Sequence, residues 1–209
     1  MNRMNRRYFL FGSLAVPVLG QTSSDAIGTA FIGVGNRGGY VLKEVFQIPG
    51  VKIAALCDIN SDRLDKAASA VSRDNPATFT DYKKMLERDD VKAVFIATPC
   101  DLHVEMAIAA LKAGKHVYCE KPAGTTPESI QRLVQVVKQS KTVFQIGQQL
   151  RGMRNLRQTI QKIHDGEAGK IIMVKAARHA GDDLSHELSS ADWFFFAKRS
   201  GDVIVEMAV

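Results

Sequence analysis

Cys119, Glu120, Lys121 and Pro122 follow a short apolar run, His116 to Tyr118, and set an amine where a strand would end. A lysine there can take the proton of an alcohol as hydride leaves the carbon, provided its pKa falls from the ordinary ~10.4. Burial and the positive ring of a nicotinamide would both lower it. The bland alternative is a surface lysine in a proline turn, with Pro122 simply ending the strand. A second stretch indicates the company this lysine keeps. Ala30, Phe31 and Ile32 run into Gly33, Val34, Gly35, Asn36, Arg37 and Gly38. Gly33 permits a tight turn, Gly35 removes the Cβ that would block a pyrophosphate, and Gly38 lets a helix pack closely on the sheet. The N-terminus of that helix then faces the phosphates.

Asp58 closes the next strand candidate, 20 residues past Gly38. A carboxylate there accepts hydrogen bonds from ribose hydroxyls and repels a 2′-phosphate, so the expected cofactor is NAD. Arg37 and Arg63 soften that preference and leave NADP open. Thr98 and Pro99 end another apolar run and are expected to line the cofactor. His103 lies in the first turn of the helix after them, where it either faces the site or is a structural histidine satisfied by backbone.

The elements that must position these residues alternate from residue 28 onward. Strand candidates are Thr29 to Gly33, Val51 to Cys57, Ala93 to Ala97, His116 to Cys119 and Val143 to Ile146. Most are apolar on both faces, as buried parallel strands must be. Between them, Leu64, Ala67, Ala68 and Val71 recur at helical spacing, as do Ile130, Leu133, Val134 and Val137 behind Thr126 as cap and Pro127 at the first helical position. Asp101 is expected to open a further helix that Gly114 closes. The fold class that follows is α/β, a Rossmann-type doubly wound parallel sheet. Character changes after Gly147. Leu156, Ile160 and Ile163 mark a helix ending at Asp165-Gly166, and Ile171 to Ala176 reads as a strand. The stretch from Arg178 to Ser200 is loop-like, with aromatics at Trp193, Phe194, Phe195 and Phe196. A domain boundary is placed near residue 148.

Composition narrows the function classes. With 45% hydrophobic residues the chain can bury a globular core. The formal charge of +6 rests partly on Arg3, Arg6 and Arg7, and the other basic residues are scattered without a phosphate-tracking stripe, so nucleic acid is not an expected partner. Arg6-Arg7 followed by an apolar stretch to Leu19 reads as a twin-arginine export signal, too short to span a bilayer. Residues 1–26 are assigned to it, with cleavage after Gly20 or Ala26, and the twin-arginine translocase and a periplasmic location follow. Cys57, Cys100 and Cys119 show no metal-ligand spacing and read as small buried residues, so no metal is expected.

Gly33 to Gly38, Ile96-Ala97-Thr98-Pro99, Ala110 to Val117 and Glu120-Lys121-Pro122 occur in the order and spacing of the Gfo/Idh/MocA oxidoreductases, which the chain resembles from residue 28 to 209. The resemblance implies a dinucleotide-binding domain over 27–148 and an incomplete α+β substrate domain over 149–209. It implies that Lys121 is the catalytic or substrate-positioning lysine, that Glu120 and Pro122 shape the nicotinamide pocket, and that Gln148 and Arg151 border the substrate. It further implies a glycine-rich strand at Gly201 to Val205, an acid at Glu206 and a histidine four positions later. The sequence ends at Val209, so a C-terminally truncated second domain is expected. The implied activity is hydride transfer on a sugar or cyclic polyol, in a protein that is a homo-oligomer when full length. Export with a captive cofactor also suits glycoside cleavage by transient oxidation, elimination and re-reduction. A truncated nucleotide-binding module without turnover is the reading from a different class.

Overall fold

The computed structural model describes residues 26–175, 193 and 196–201. The export leader through Asp25, Phe194, Phe195, and Asp202 to Glu206 of the expected glycine-rich strand and acid lie outside the described residues.

Six strands form one parallel sheet in the order β3-β2-β1-β4-β5-β6. They are β1 (Ile27–Ile32), β2 (Val51–Cys57), β3 (Ala77–Phe79), β4 (Ala93–Ile96), β5 (His116–Glu120) and β6 (Phe144–Gly147). The chain starts at the centre, builds outward to β3, then crosses back to place β4 against β1. That reversal opens a crevice at the carboxyl ends of β1 and β4, where ligands of such sheets bind.

Alternation along β1 explains why both faces are covered. Ala30 and Ile32 pack into one core with Val104, Ala107 and Leu111 of α4 (His103–Lys112) and Leu133 of α5 (Pro127–Gln139). Phe31 packs into the other with Leu42 and Val45 of α1 (Asn36–Phe46) and Leu64 and Ala67 of α2 (Ser61–Ala70). Phe31, Ile53, Leu56 and Ile96 are fully buried, each worth about 1.5–3 kcal/mol against exposure. Phe31 stacks on Phe95 at 4.7 Å, and Phe95 meets Tyr118 at 5.4 Å, an aromatic row across β1, β4 and β5.

The expected helix caps hold at α5, where Thr126 and Ser129 form a reciprocal capping box. Three expectations change. The edge strand β3 was not anticipated: it is three residues long, half-buried, and pairs only with Ala55 to Cys57. Asp101 does not open a helix. It lies in a 3₁₀ turn, Cys100–Leu102, and pairs with Arg199 at 3.3 Å, while α4 begins at His103 behind Leu102. Residues 171–175, expected as strand, form none. Ile172, Met173 and Val174 are more than four-fifths exposed among the described residues, and Ala176 of the expected strand lies outside them.

Candidate active site

The glycine-rich turn is built as its chemistry requires. Gly33 has φ +84, and a Cβ there would lie 2.6 Å from the carbonyl oxygen of Ala97. A Cβ on Gly38 would fall on the carbonyl oxygen of Gly33. Gly35 differs: its Cβ would meet nothing nearer than the Arg63 guanidinium at 3.6 Å. Gly35 is also the N-cap of α1, without a side-chain cap and with no acidic residue in the first turn. The positive end of the α1 dipole therefore meets no side-chain carboxylate of its own first turn and points into the space above Gly35. Open space above Gly35 at the amino end of α1 fits a pyrophosphate.

Asp58 follows β2 and is 9% exposed. Its Oδ2 accepts the Val34 N–H at 2.9 Å and its Oδ1 the Asn60 N–H at 3.0 Å. The carboxylate therefore fixes the glycine turn to the end of β2.

The carboxyl end of β5 holds the second group. Glu120 is buried, and its Oε1 accepts from Arg37 Nε and Nη2, both at 2.8 Å, and from the Tyr118 hydroxyl at 3.2 Å. Burial opposes the Arg37 charge, yet the Glu120 carboxylate and Tyr118 outweigh it and raise its pKa. Burial, then Glu120, pushes the Tyr118 phenol up. Glu120 pairs with Gly147 across the β5–β6 ladder. A Cβ on Gly147 would lie 2.6 Å from the Tyr118 hydroxyl and 3.0 Å from the Glu120 carboxyl carbon.

Lys121, half-buried, follows Glu120, and its peptide bond to Pro122 is cis. Thr98 and Pro99 leave β4 beside it, and Gln148 and Arg151 follow β6. An open pocket of about 330 Å³ lies along β5 and β6, lined by Tyr118, Gln145, Gly147, Gln148, Gln149 and Arg151 and not by Lys121. The proposed site residues thus gather at the carboxyl edge of the sheet.

His103 lies at the same edge but buried beneath it, its ring turned to backbone carbonyls. It is 1% exposed, with Nδ1 2.7 Å from the Pro122 carbonyl oxygen and Nε2 2.9 Å from that of Thr98. The structural alternative holds. Arg37 also departs from expectation: its backbone belongs to the phosphate turn, but its side chain runs to Glu120 on the β5 side, away from Asp58. Arg63 is the guanidinium that stays beside Gly35. Sequence reasoning missed Tyr118 and Gly147. The tyrosine's alternation two residues before Glu120 on one strand was an available signal.

Residues 27–148 match the GFO_IDH_MocA family, an oxidoreductase family with an NAD-binding Rossmann fold. The chain belongs to the Gfo/Idh/MocA family. A glycosyl hydrolase family 109 protein of Saccharopolyspora erythraea is 34% identical over 155 residues, covering 71% of this chain and 34% of that protein. The scyllo-inositol dehydrogenase of Lactobacillus casei, solved with NAD(H) and scyllo-inositol, superposes with a TM-score of 0.66 at 30% identity, covering 70% of this chain and 43% of that one. KijD10, a 3-ketoreductase of Actinomadura kijaniata solved with NADP and TDP-benzene, gives 0.60 at 27% identity, covering 68% and 44%. This Gfo/Idh/MocA chain therefore spans less than half the length of these proteins.

Proposed function

We propose that this chain is the cofactor-binding, lysine-bearing portion of an NAD-dependent oxidoreductase acting on a sugar or cyclic polyol. The observation that carries the reading is that Arg37 of the glycine-rich turn pairs with Glu120, the residue before Lys121, at one sheet edge. The α1 amides and the open face of Gly35 hold the pyrophosphate, and Asp58 receives the adenosine ribose. Thr98 and Pro99 bound the nicotinamide side. The bound cofactor supplies a hydride acceptor. Lys121 Nζ holds the hydroxyl of the reacting carbon and takes its proton, while Gln148 and Arg151 hydrogen-bond neighbouring hydroxyls. The relative that binds NAD(H) and scyllo-inositol supports a polyol substrate.

A second reading is redox-neutral glycoside cleavage, favoured by the family 109 name of the Saccharopolyspora relative. There the hydride returns to the substrate after elimination of the aglycone and addition of water. The Arg6-Arg7 leader supports export by the twin-arginine translocase with cofactor already bound. Offering NAD with inositols, and separately an aryl glycoside without added cofactor, separates the chemistries: NADH accumulates in the first, phenol is released in the second. Lys121→Ala should abolish either while sparing NADH binding. A chain that binds no NADH, or a Lys121→Ala variant of full activity, would refute the proposal.

A further inference from the structure

Arg37 and His103 stand where cofactor ligands are expected, and both side chains turn elsewhere. Arg37 reaches from the start of α1 to Glu120, the residue before Lys121. His103 reaches from the start of α4 to the carbonyl of Pro122, the residue after it. We propose that Arg37 and His103 are positioning residues that hold Lys121 between them, fixing its turn against the glycine-rich turn and against Thr98. The inference rests on the proposed role of Lys121.

The lysine needs such support. The β5–β6 ladder ends at the pair Glu120 and Gly147, so the backbone leaves the sheet just as it reaches Lys121. A long flexible stem places its amine well only if its Cα is fixed, and a displacement of about 1 Å can cost about 100-fold in rate. Before the lysine, the buried Glu120 carboxylate is gripped by Arg37 and the Tyr118 hydroxyl and backed by Gly147. After it, the buried His103 ring spans Pro122 O at 2.7 Å and Thr98 O at 2.9 Å. Together the two tethers join the β1–α1, β4–α4 and β5–α5 connections, the three that border the crevice where the strand order reverses. Without Arg37 a buried carboxylate loses its cation and has reason to move.

The test reads lysine placement apart from turnover. Trinitrobenzenesulfonate labelling of Lys121, mapped by peptide mass spectrometry on the 209-residue chain, is measured with and without saturating NADH, whose affinity is followed by fluorescence. In the parent, NADH should slow labelling about tenfold or more. Arg37→Met and His103→Asn should keep NADH affinity within about threefold, yet lose most of that protection, and Arg37→Lys, which keeps the charge without the two-nitrogen grip, should restore only part of it. Glu120→Gln, which keeps shape and removes charge, is the second variant if Arg37→Met does not fold, and should also lose protection. Protection unchanged at saturation in these variants overturns the inference. So does an Arg37→Met chain whose NADH affinity falls about tenfold with protection intact, since Arg37 is then a cofactor ligand. A parent that binds NADH without protecting Lys121 overturns the lysine reading itself, and a parent that binds none overturns the cofactor reading.

Discussion

Gly35 and Gly38 belong to one motif, yet the structure separates their jobs, and alanine at each should give opposite results. Gly35 has φ −66, which alanine adopts freely, and the new methyl would meet only Arg63 at 3.6 Å. Gly→Ala stiffens the unfolded chain, a gain of about 0.4–1 kcal/mol. Alanine is the poorer N-cap by roughly 0.5 kcal/mol or more. The two offset each other, so the melting temperature of Gly35→Ala should stay within about 2 °C of the parent. Its methyl stands in the approach to the α1 amides, however. Losing one charge-assisted hydrogen bond to a phosphate costs about 1.5–3 kcal/mol, which is about a 10–150-fold rise in the NADH Kd.

Gly38→Ala inverts the pattern. Its methyl falls on the Gly33 carbonyl and reaches the Ala97 Cβ at 3.4 Å. A backbone oxygen cannot swing aside, so overpacking of about 1–3 kcal/mol or more is expected, and a melting temperature lower by roughly 3–10 °C. Thermal scans of the free chain and NADH fluorescence titrations check both. A Gly35→Ala chain that binds NADH within about twofold of the parent would show that the cradle does not lie above Gly35, and a Gly38→Ala chain that melts with the parent would refute the close packing of α1 on the Gly33 carbonyl.

Asp58→Asn leaves one acceptor oxygen for two backbone donors, Val34 and Asn60, which should cost about 1–3 kcal/mol of stability. With the charge gone, affinity for NADPH should rise relative to NADH by roughly tenfold, and paired titrations showing an unchanged ratio would exclude Asp58 as the ribose acid. Burial, with Asp58 and Asp81, pushes the Cys57 thiol up to about 12, and burial with Glu120 raises Cys119. Both thiols keep their protons longer folded than unfolded, so their contribution is whole below the ordinary 9.0 and declines as pH rises toward the folded value. Urea melts across that window should lose up to ~1.4 kcal/mol per pH unit for each thiol, and Cys57→Ala should remove one such increment. At neutral pH all three buried cysteines should resist Ellman's reagent until urea unfolds the chain; fast reaction of Cys57 or Cys119 in the native protein would contradict their burial.

What could be read in advance follows from where each residue's instruction resides. The strands at Val51, Ala93 and His116 were legible because burial on both faces leaves an unbroken apolar run in the chain itself. β3 was not, being three residues, the middle one exposed, whose claim to be a strand is the free edge of β2. The same division runs through the site. Gly33 and Gly38 act by lacking a side chain, and Asp58 acts at the end of its own strand, so position in the sequence was enough. Arg37 acts at the tip of a long stem, and its partner lies 83 residues away, a pairing no local spacing encodes. Gly147 makes the argument plainest. It is not among the glycines held at positive φ, so no turn demands it. It is required to be small because Tyr118 and Glu120 occupy the space its Cβ would take, and they are there because Arg37 holds the carboxylate. The glycine-rich turn and Asp58 are thus written locally, whereas the contacts around Glu120 are written in pairs distant in sequence.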